Sequence, residues 1–236
     1  MSDSELSVRE FNMAKRRQRI LAEARRLIAR GGIEALNLRK LAAAAEVTVP
    51  TIYNLLGNKE ALVIALFTEA LEEIEHRVRS AAHGSALASA EAVVAESTGL
   101  FAEDEQYFRS AFIALEHLDQ TRAHHAAAEG VYTWGRSLVL AGLDACREAG
   151  LIEGRIPAAL LSDQILRGYR TSCRAWAFGQ LSIEEFRASA LSDVYTCLAA
   201  DAVETFHARM VRKIAALANS AATPVQRRAR DEGVNT

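Results

Sequence analysis

The chain has 236 residues, a formal net charge of −2, half of its residues hydrophobic and a mean hydropathy of +0.00, the balance of a soluble globular protein with ample core material. No apolar run reaches membrane-spanning length, and the acidic start Met1-Ser2-Asp3-Ser4-Glu5 is unlike a secretion signal, so no membrane association is expected. Cys146, Cys173 and Cys197 are odd in number, widely spaced and without a Cys-x-x-Cys, which suits a reduced, cytoplasmic protein.

Residues 1–12 are polar and expected to be a disordered arm. The first helix is expected over 15–30, where Ile20, Ala24, Leu27 and Ile28 share one face and Gly31-Gly32 supplies a left-handed stop. Asn37 then caps a short helix over 38–45, with Leu38, Leu41 and Ala45 facing inward. Thr48 caps another over 49–55, and Pro50 sits in its first turn, where a missing N–H is harmless. Two caps so close force an abrupt change of direction. That is the outline of a helix-turn-helix over 37–56, whose second helix would enter the major groove of double-stranded DNA.

Asn58 caps a long helix over 59–82, and further helices are expected over 86–101, 104–118, 122–149, 157–178 and 183–218. No alternating strand pattern competes with them, so the fold class is all-α. Gly84, Gly150 and Gly154 fall in the connections, and residues 222–236 form a polar tail expected to be disordered. Charge divides along the same line. Between Arg9 and Glu60 there are eleven basic and five acidic residues, so a basic head is joined to an acidic body.

Four segments carry a family resemblance: Ile20-Leu21-x-x-Ala24, Leu38-Arg39-x-Leu41-Ala42, Val47-Thr48-x-x-Thr51-Ile52-Tyr53 and Asn58-Lys59-Glu60-Ala61-Leu62. Together they resemble the TetR family of bacterial transcriptional regulators over about the first quarter of the chain. The resemblance implies a DNA-binding domain over 13–60 and a helical effector-binding and dimerisation domain over 61–221. The chain departs from the family pattern in having Glu46 where the turn usually has glycine, so a positive φ there would cost energy or be avoided. It also has Leu55-Leu56 where the family has an aromatic.

On the recognition helix, Val49, Thr51 and Asn54 are the candidates for base edges. Threonine can offer a hydroxyl or a methyl, and asparagine can read adenine through two hydrogen bonds. A phosphate contact or a solvated side chain is the plainer alternative for Asn54, as packing is for Tyr53. Thr48 and Pro50 stand at the helix N-terminus, where exposed N–H groups favour an anion. The resemblance further implies phosphate contacts for Tyr53 and Lys59 and an approach of Arg39 to the DNA backbone. Arg16, Arg17 and Arg19 could form a basic arm reaching phosphate or the minor groove.

His117, His124 and His125 are close in sequence, but their spacing completes no metal signature, and no metal or cofactor is expected. No nucleophile elbow, phosphate loop, dinucleotide fingerprint or zinc-protease motif is present, so no catalytic residue is assigned and the chain is not expected to be an enzyme. By resemblance, a cavity for a small, largely apolar effector would lie near Phe108, Phe112, Leu115, His117, Tyr132, Trp134 and Arg170, residues that are otherwise plain packing. The apolar stripes after Pro157 and on the last helix would pair the last two long helices with those of a second copy. The expected function is a homodimeric, ligand-responsive repressor of a palindromic operator. The alternatives are a DNA-binding regulator without an effector and a helical adaptor that uses the motif for protein contacts.

Overall fold

The computed structural model describes residues 8–81, 84–119 and 125–221, and every extended element among them is helical. The chain is all-α. In order it forms α1 (Val8–Gly31), a 3-10 turn (Ile33–Ala35), α2 (Leu38–Ala44), α3 (Val49–Leu56), α4 (Lys59–Ala81) and α5 (Ala86–Glu103). It continues through α6 (Glu105–Asp119), α7 (His125–Glu148), α8 (Ala158–Ala177), α9 (Ile183–Ala200) and α10 (Glu204–Ala221). Most of these match the expected helices to within a few residues.

Helix α1 begins earlier than the boundary expected at residue 12. No glycine or proline interrupts Val8 to Met13, and Glu10 in the first turn suits the helix dipole. Residues 10–19 are all exposed, Phe11 and Met13 included, so no buried stripe marks this extension in the sequence. Residues 1–7 and the tail over 222–236 lie outside the described residues.

Two compact units divide the chain. One comprises the chain up to Glu73 together with 103–129, the other 74–102 together with the chain from Gly130. In the first, Ile20, Leu21, Ala24 and Ile28 of α1 meet Leu41 of α2, Ala45 at its end, and Ile52 and Leu56 of α3 in one buried core. Helix α6 belongs to this unit because it packs on α1. There Tyr107 and Phe108 are buried, and the Arg25 guanidinium lies 4.5 Å from the Tyr107 ring centroid and 5.4 Å from that of Phe108. Burial pushes the Tyr107 phenol up to about 12, against the opposing pull of Arg25.

In the second unit α5 and α7 cross so closely that a Cβ on Gly142 would sit 2.7 Å from the Ala90 Cα, and only glycine fits. Phe101, Trp176 and Phe186 stack at centroid separations of 5.4 and 5.8 Å about the fully buried Trp176. Tyr169 meets Phe186 edge-on and donates its hydroxyl to Ser97 Oγ at 2.8 Å. Cys146 and Cys197 have thiols pushed up to about 11 by burial, so both stay protonated and unreactive near neutrality.

One expected helix, 183–218, is two. It breaks at Asp201–Val203 without glycine or proline, because that segment pairs with the loop between α7 and α8. Glu153 N–H donates to Asp201 O at 2.8 Å, Val203 N–H donates to Leu151 O at 3.1 Å, and Ile152 bridges Ala202. The buried Asp201 carboxylate then accepts the N–H groups of Gly154, Arg155 and Ile156 at 2.7, 2.9 and 3.2 Å. Tertiary hydrogen bonds replace helical ones. As a result α9 packs on both α8 and α10, with Phe186, Val194, Tyr195 and Leu198 buried.

Candidate nucleic-acid interface

The motif is built by its caps. Asn37 Oδ1 accepts the N–H groups of Arg39 at 2.9 Å and Lys40 at 3.3 Å, which starts α2. Its far end closes as a Schellman turn, with Glu46 N–H donating to Ala43 O at 3.3 Å and Val47 N–H to Ala42 O at 2.9 Å. That turn requires a left-handed residue, and Glu46 supplies it with φ 50°. The positive φ is adopted despite its cost. Two residues on, Thr48 Oγ1 accepts the N–H of Thr51 at 3.4 Å and lies 2.9 Å from the Thr51 hydroxyl. Asn58 Oδ1 caps α4 through Ala61 N–H at 2.9 Å.

These caps fix which side chains α3 turns outward. Ile52 and Leu56 are buried and Val49 is half-buried on the same face, so Val49 is less available to a ligand than the exposed Asn54. Pro50, Tyr53 and Asn54 share the opposite face and are exposed, Tyr53 to 53%. Thr48 is exposed at the helix start, Thr51 is half-buried, and Arg39 is exposed in the first turn of α2. Lys59 is half-buried in the first turn of α4, one residue beyond its cap. A convex, polar helix face flanked by two helix N-termini can follow a groove and hold phosphates at its edges.

The basic arm is more committed within the protein than its sequence suggests. Arg17 Nη1 donates to Leu55 O at 3.1 Å, at the carboxyl end of α3. Arg19 pairs with Glu46 through its side chain and its carbonyl, both at 3.4 Å, and Arg26 pairs with Glu23 at 2.5 Å. Lys15 and Arg16 are exposed. An open groove of about 350 Å³ runs between Arg17, Asn54 and Leu55 on one side and Ala61, Ile64 and Thr68 of α4 on the other. No sequence spacing announces these contacts, since they join residues 27 and 38 positions apart.

The effector candidates divide between the two units. Phe108 is buried, and Phe112 and Leu115 are half-buried, in the first. In the second, Tyr132 is exposed and donates to Asp163 at 3.2 Å, Arg170 is exposed, and the half-buried Trp134 donates its indole N–H to Glu75 at 2.8 Å. The Trp134 bond and Arg79 hold the Glu75 carboxyl below its ordinary range. The side chains of His117 and His125, and the whole of His124, lie outside the described residues. Among the described residues no group of three or more His, Cys, Asp or Glu could hold a metal, and no helix is long and apolar enough to cross a membrane.

Residues 20–66 match the family model of the bacterial regulatory proteins of the tetR family. No curated protein matches the sequence. Among solved structures, a TetR transcriptional regulator from Rhodococcus sp. RHA1 superposes with a TM-score of 0.59 at 15% identity, over 78% of this chain and 97% of that one. FadR from Bacillus subtilis, solved with stearoyl-CoA, gives a TM-score of 0.62 at 19% identity over 77% and 97% of the two chains. SmeT, the repressor of a multidrug efflux pump of Stenotrophomonas maltophilia, gives 0.62 at 16% over 80% and 92%. Residues 20–66 are therefore similar to the tetR family of bacterial regulatory proteins, and they are carried on a chain with the fold of solved TetR-family transcriptional regulators.

Proposed function

We propose that the chain is a homodimeric repressor that holds a palindromic operator through α3 and releases it when a small, largely apolar molecule binds its second domain. The observation that carries the DNA-binding part is the exposed face of Pro50, Tyr53 and Asn54 between the capped starts of α3 and α4. Thr48, Tyr53, Lys59 and Arg39 grip phosphate, while Thr51 and Asn54, with Val49 at the margin, read bases. Release by a ligand is supported by the fold shared with FadR, whose structure holds stearoyl-CoA, and repression by that shared with SmeT. Phe108, Phe112, Leu115, His117, Tyr132, Trp134 and Arg170 remain the candidates for contact with the effector.

Two roles on one helix separate by their response to salt and sequence. Lys59→Ala and Tyr53→Phe should weaken binding to all duplexes, and Lys59→Ala should flatten the salt dependence by about one unit of slope. Asn54→Ala and Thr51→Ala should instead relax preference at particular base pairs, each costing about 1–3 kcal/mol. Selection of operators from a random pool, followed by titration at several salt concentrations, measures both. If the Asn54→Ala variant selects the same site, Asn54 belongs with the backbone contacts.

Dimerisation is supported by large apolar side chains left exposed towards the end of the chain: Leu160 in the first turn of α8, Phe178 just past its end, and Val211 on α10. Because α9 is occupied by both neighbours, α8 and α10 are the surfaces offered to a second copy. Sedimentation at micromolar protein should show a dimer. A monomer there would remove the basis for a palindromic operator.

A further inference from the structure

We propose that Glu46 and Arg19 form an electrostatic brake on DNA binding. Glu46 holds Arg19 back from phosphate and sets its own carboxylate beside the phosphate-binding start of α3. This presupposes the DNA-binding reading above and adds how its grip is set.

Glu46 is the one non-glycine residue with a positive φ among the described residues. A left-handed backbone strains any residue with a Cβ, and the Schellman turn imposes that conformation at position 46, so a glutamate where glycine would be unstrained points to a use for its side chain. That use is not packing, since the Glu46 side chain is 81% exposed. Nor is it stability. The pair with Arg19 spans 3.4 Å between side chains that are 81% and 45% exposed, and such a screened surface pair contributes little.

What remains is charge, and its placement is specific. Glu46 lies two residues ahead of Thr48, whose helix start is a natural seat for phosphate. Two residues of chain span at most about 7 Å, less than the screening length of about 10 Å at 0.1 M salt, so a carboxylate carried there opposes an incoming phosphate. Arg19 would otherwise add a cation to the same end of the domain, but both of its terminal nitrogens point at Glu46, one at the carboxylate and one at the carbonyl. Phosphate contacts supply nearly all non-specific affinity, whereas base contacts supply discrimination. A brake on phosphate contacts therefore lowers affinity for every duplex by a similar factor, and it sets the strength of the grip rather than the base preference.

The experiment uses the full chain, a random-sequence duplex and a selected operator, each titrated over a range of salt concentrations. Glu46→Gln should tighten binding to the random duplex about 3- to 10-fold and steepen the salt slope by about 0.9 per protomer as Arg19 becomes available to a phosphate. The ratio of operator to random affinity should change little, because the base contacts are untouched. Arg19→Ala should change little by itself; combined with Glu46→Gln it should abolish the steeper slope and the share of the gain that Arg19 supplies, leaving the share due to the lost carboxylate. Glu34→Gln, the same charge change in the 3-10 turn, should leave the slope alone. Circular dichroism checks that each exposed-site variant keeps its helices.

The brake is refuted if Glu46→Gln matches the wild type in affinity and slope, or if Glu34→Gln reproduces its effect. It is also refuted if Arg19→Ala weakens binding equally with and without Glu46. A gain seen with Glu46→Gly but not with Glu46→Gln would trace the effect to the backbone and overturn the charge account. A wild-type chain that binds neither duplex at low salt refutes the DNA-binding reading itself, which distinguishes that failure from the others.

Discussion

Asp201→Ala should destabilise the protein by about 3–5 kcal/mol, among the largest losses any single substitution in the chain would cause. The carboxylate is fully buried and takes three successive backbone N–H groups, those of Gly154, Arg155 and Ile156. Alanine removes both acceptor oxygens and leaves three part-buried loop donors without their protein partner. The consequence spreads because the same corner joins the loop after α7 to the break between α9 and α10, through Glu153 to Asp201 O and Val203 to Leu151 O. Asp201→Asn keeps one carbonyl acceptor and should lose about half as much. For a chain of this size the alanine variant should melt roughly 6–20 °C lower. A melting point within about 2 °C of the wild type would mean that water replaces the carboxylate at no cost.

Trp176→Ala should cost about 3–5 kcal/mol by a different route, the loss of the largest fully buried side chain in the chain. The indole lies between Phe101 at 5.4 Å and Phe186 at 5.8 Å, both near-parallel, and Tyr169 closes on Phe186 from the edge. Alanine would leave a void between the Phe101 and Phe186 rings, which are held by α5 and α9 and cannot close on it without moving a helix. Trp176→Phe should recover more than half of the loss, because a smaller ring still stacks. Urea denaturation measures both, and the midpoint should fall without a change in the slope. Should the alanine variant instead unfold at the wild-type midpoint, the stack is not what holds these helices together.

The α1–α6 contact shows how packing redirects a charge that composition assigns elsewhere. Arg25 counts toward the basic head, yet its guanidinium covers the buried Tyr107 ring and faces Glu69, whose carboxyl burial raises above its ordinary range. Arg17 and Arg19 are likewise engaged, with Leu55 O and Glu46. Net charge therefore identifies the end of the chain that meets nucleic acid, but not which arginines do so.

What the sequence by itself determined here is local. Asn37, Thr48 and Asn58 cap helices through hydrogen bonds to residues two or three positions away, so their side-chain chemistry sets α2, α3 and α4 wherever the chain goes. The periodicity of Ile20, Ala24 and Ile28 and of Ile52 and Leu56 likewise marks the faces that become core, and with them the outward face of Tyr53 and Asn54. Tertiary structure decided the rest. Asp201 reads as one more residue of a continuous amphipathic helix, and only the donors of Gly154 to Ile156, some 45 residues away, turn its side chain inward and break the helix. Glu46 reads as a poor choice for a left-handed turn, and it takes that conformation because the Schellman bonds to Ala42 and Ala43 and the core contacts of Leu41 and Ile52 leave the backbone no alternative. Such partners are brought together by packing alone, and no spacing along the chain encodes them.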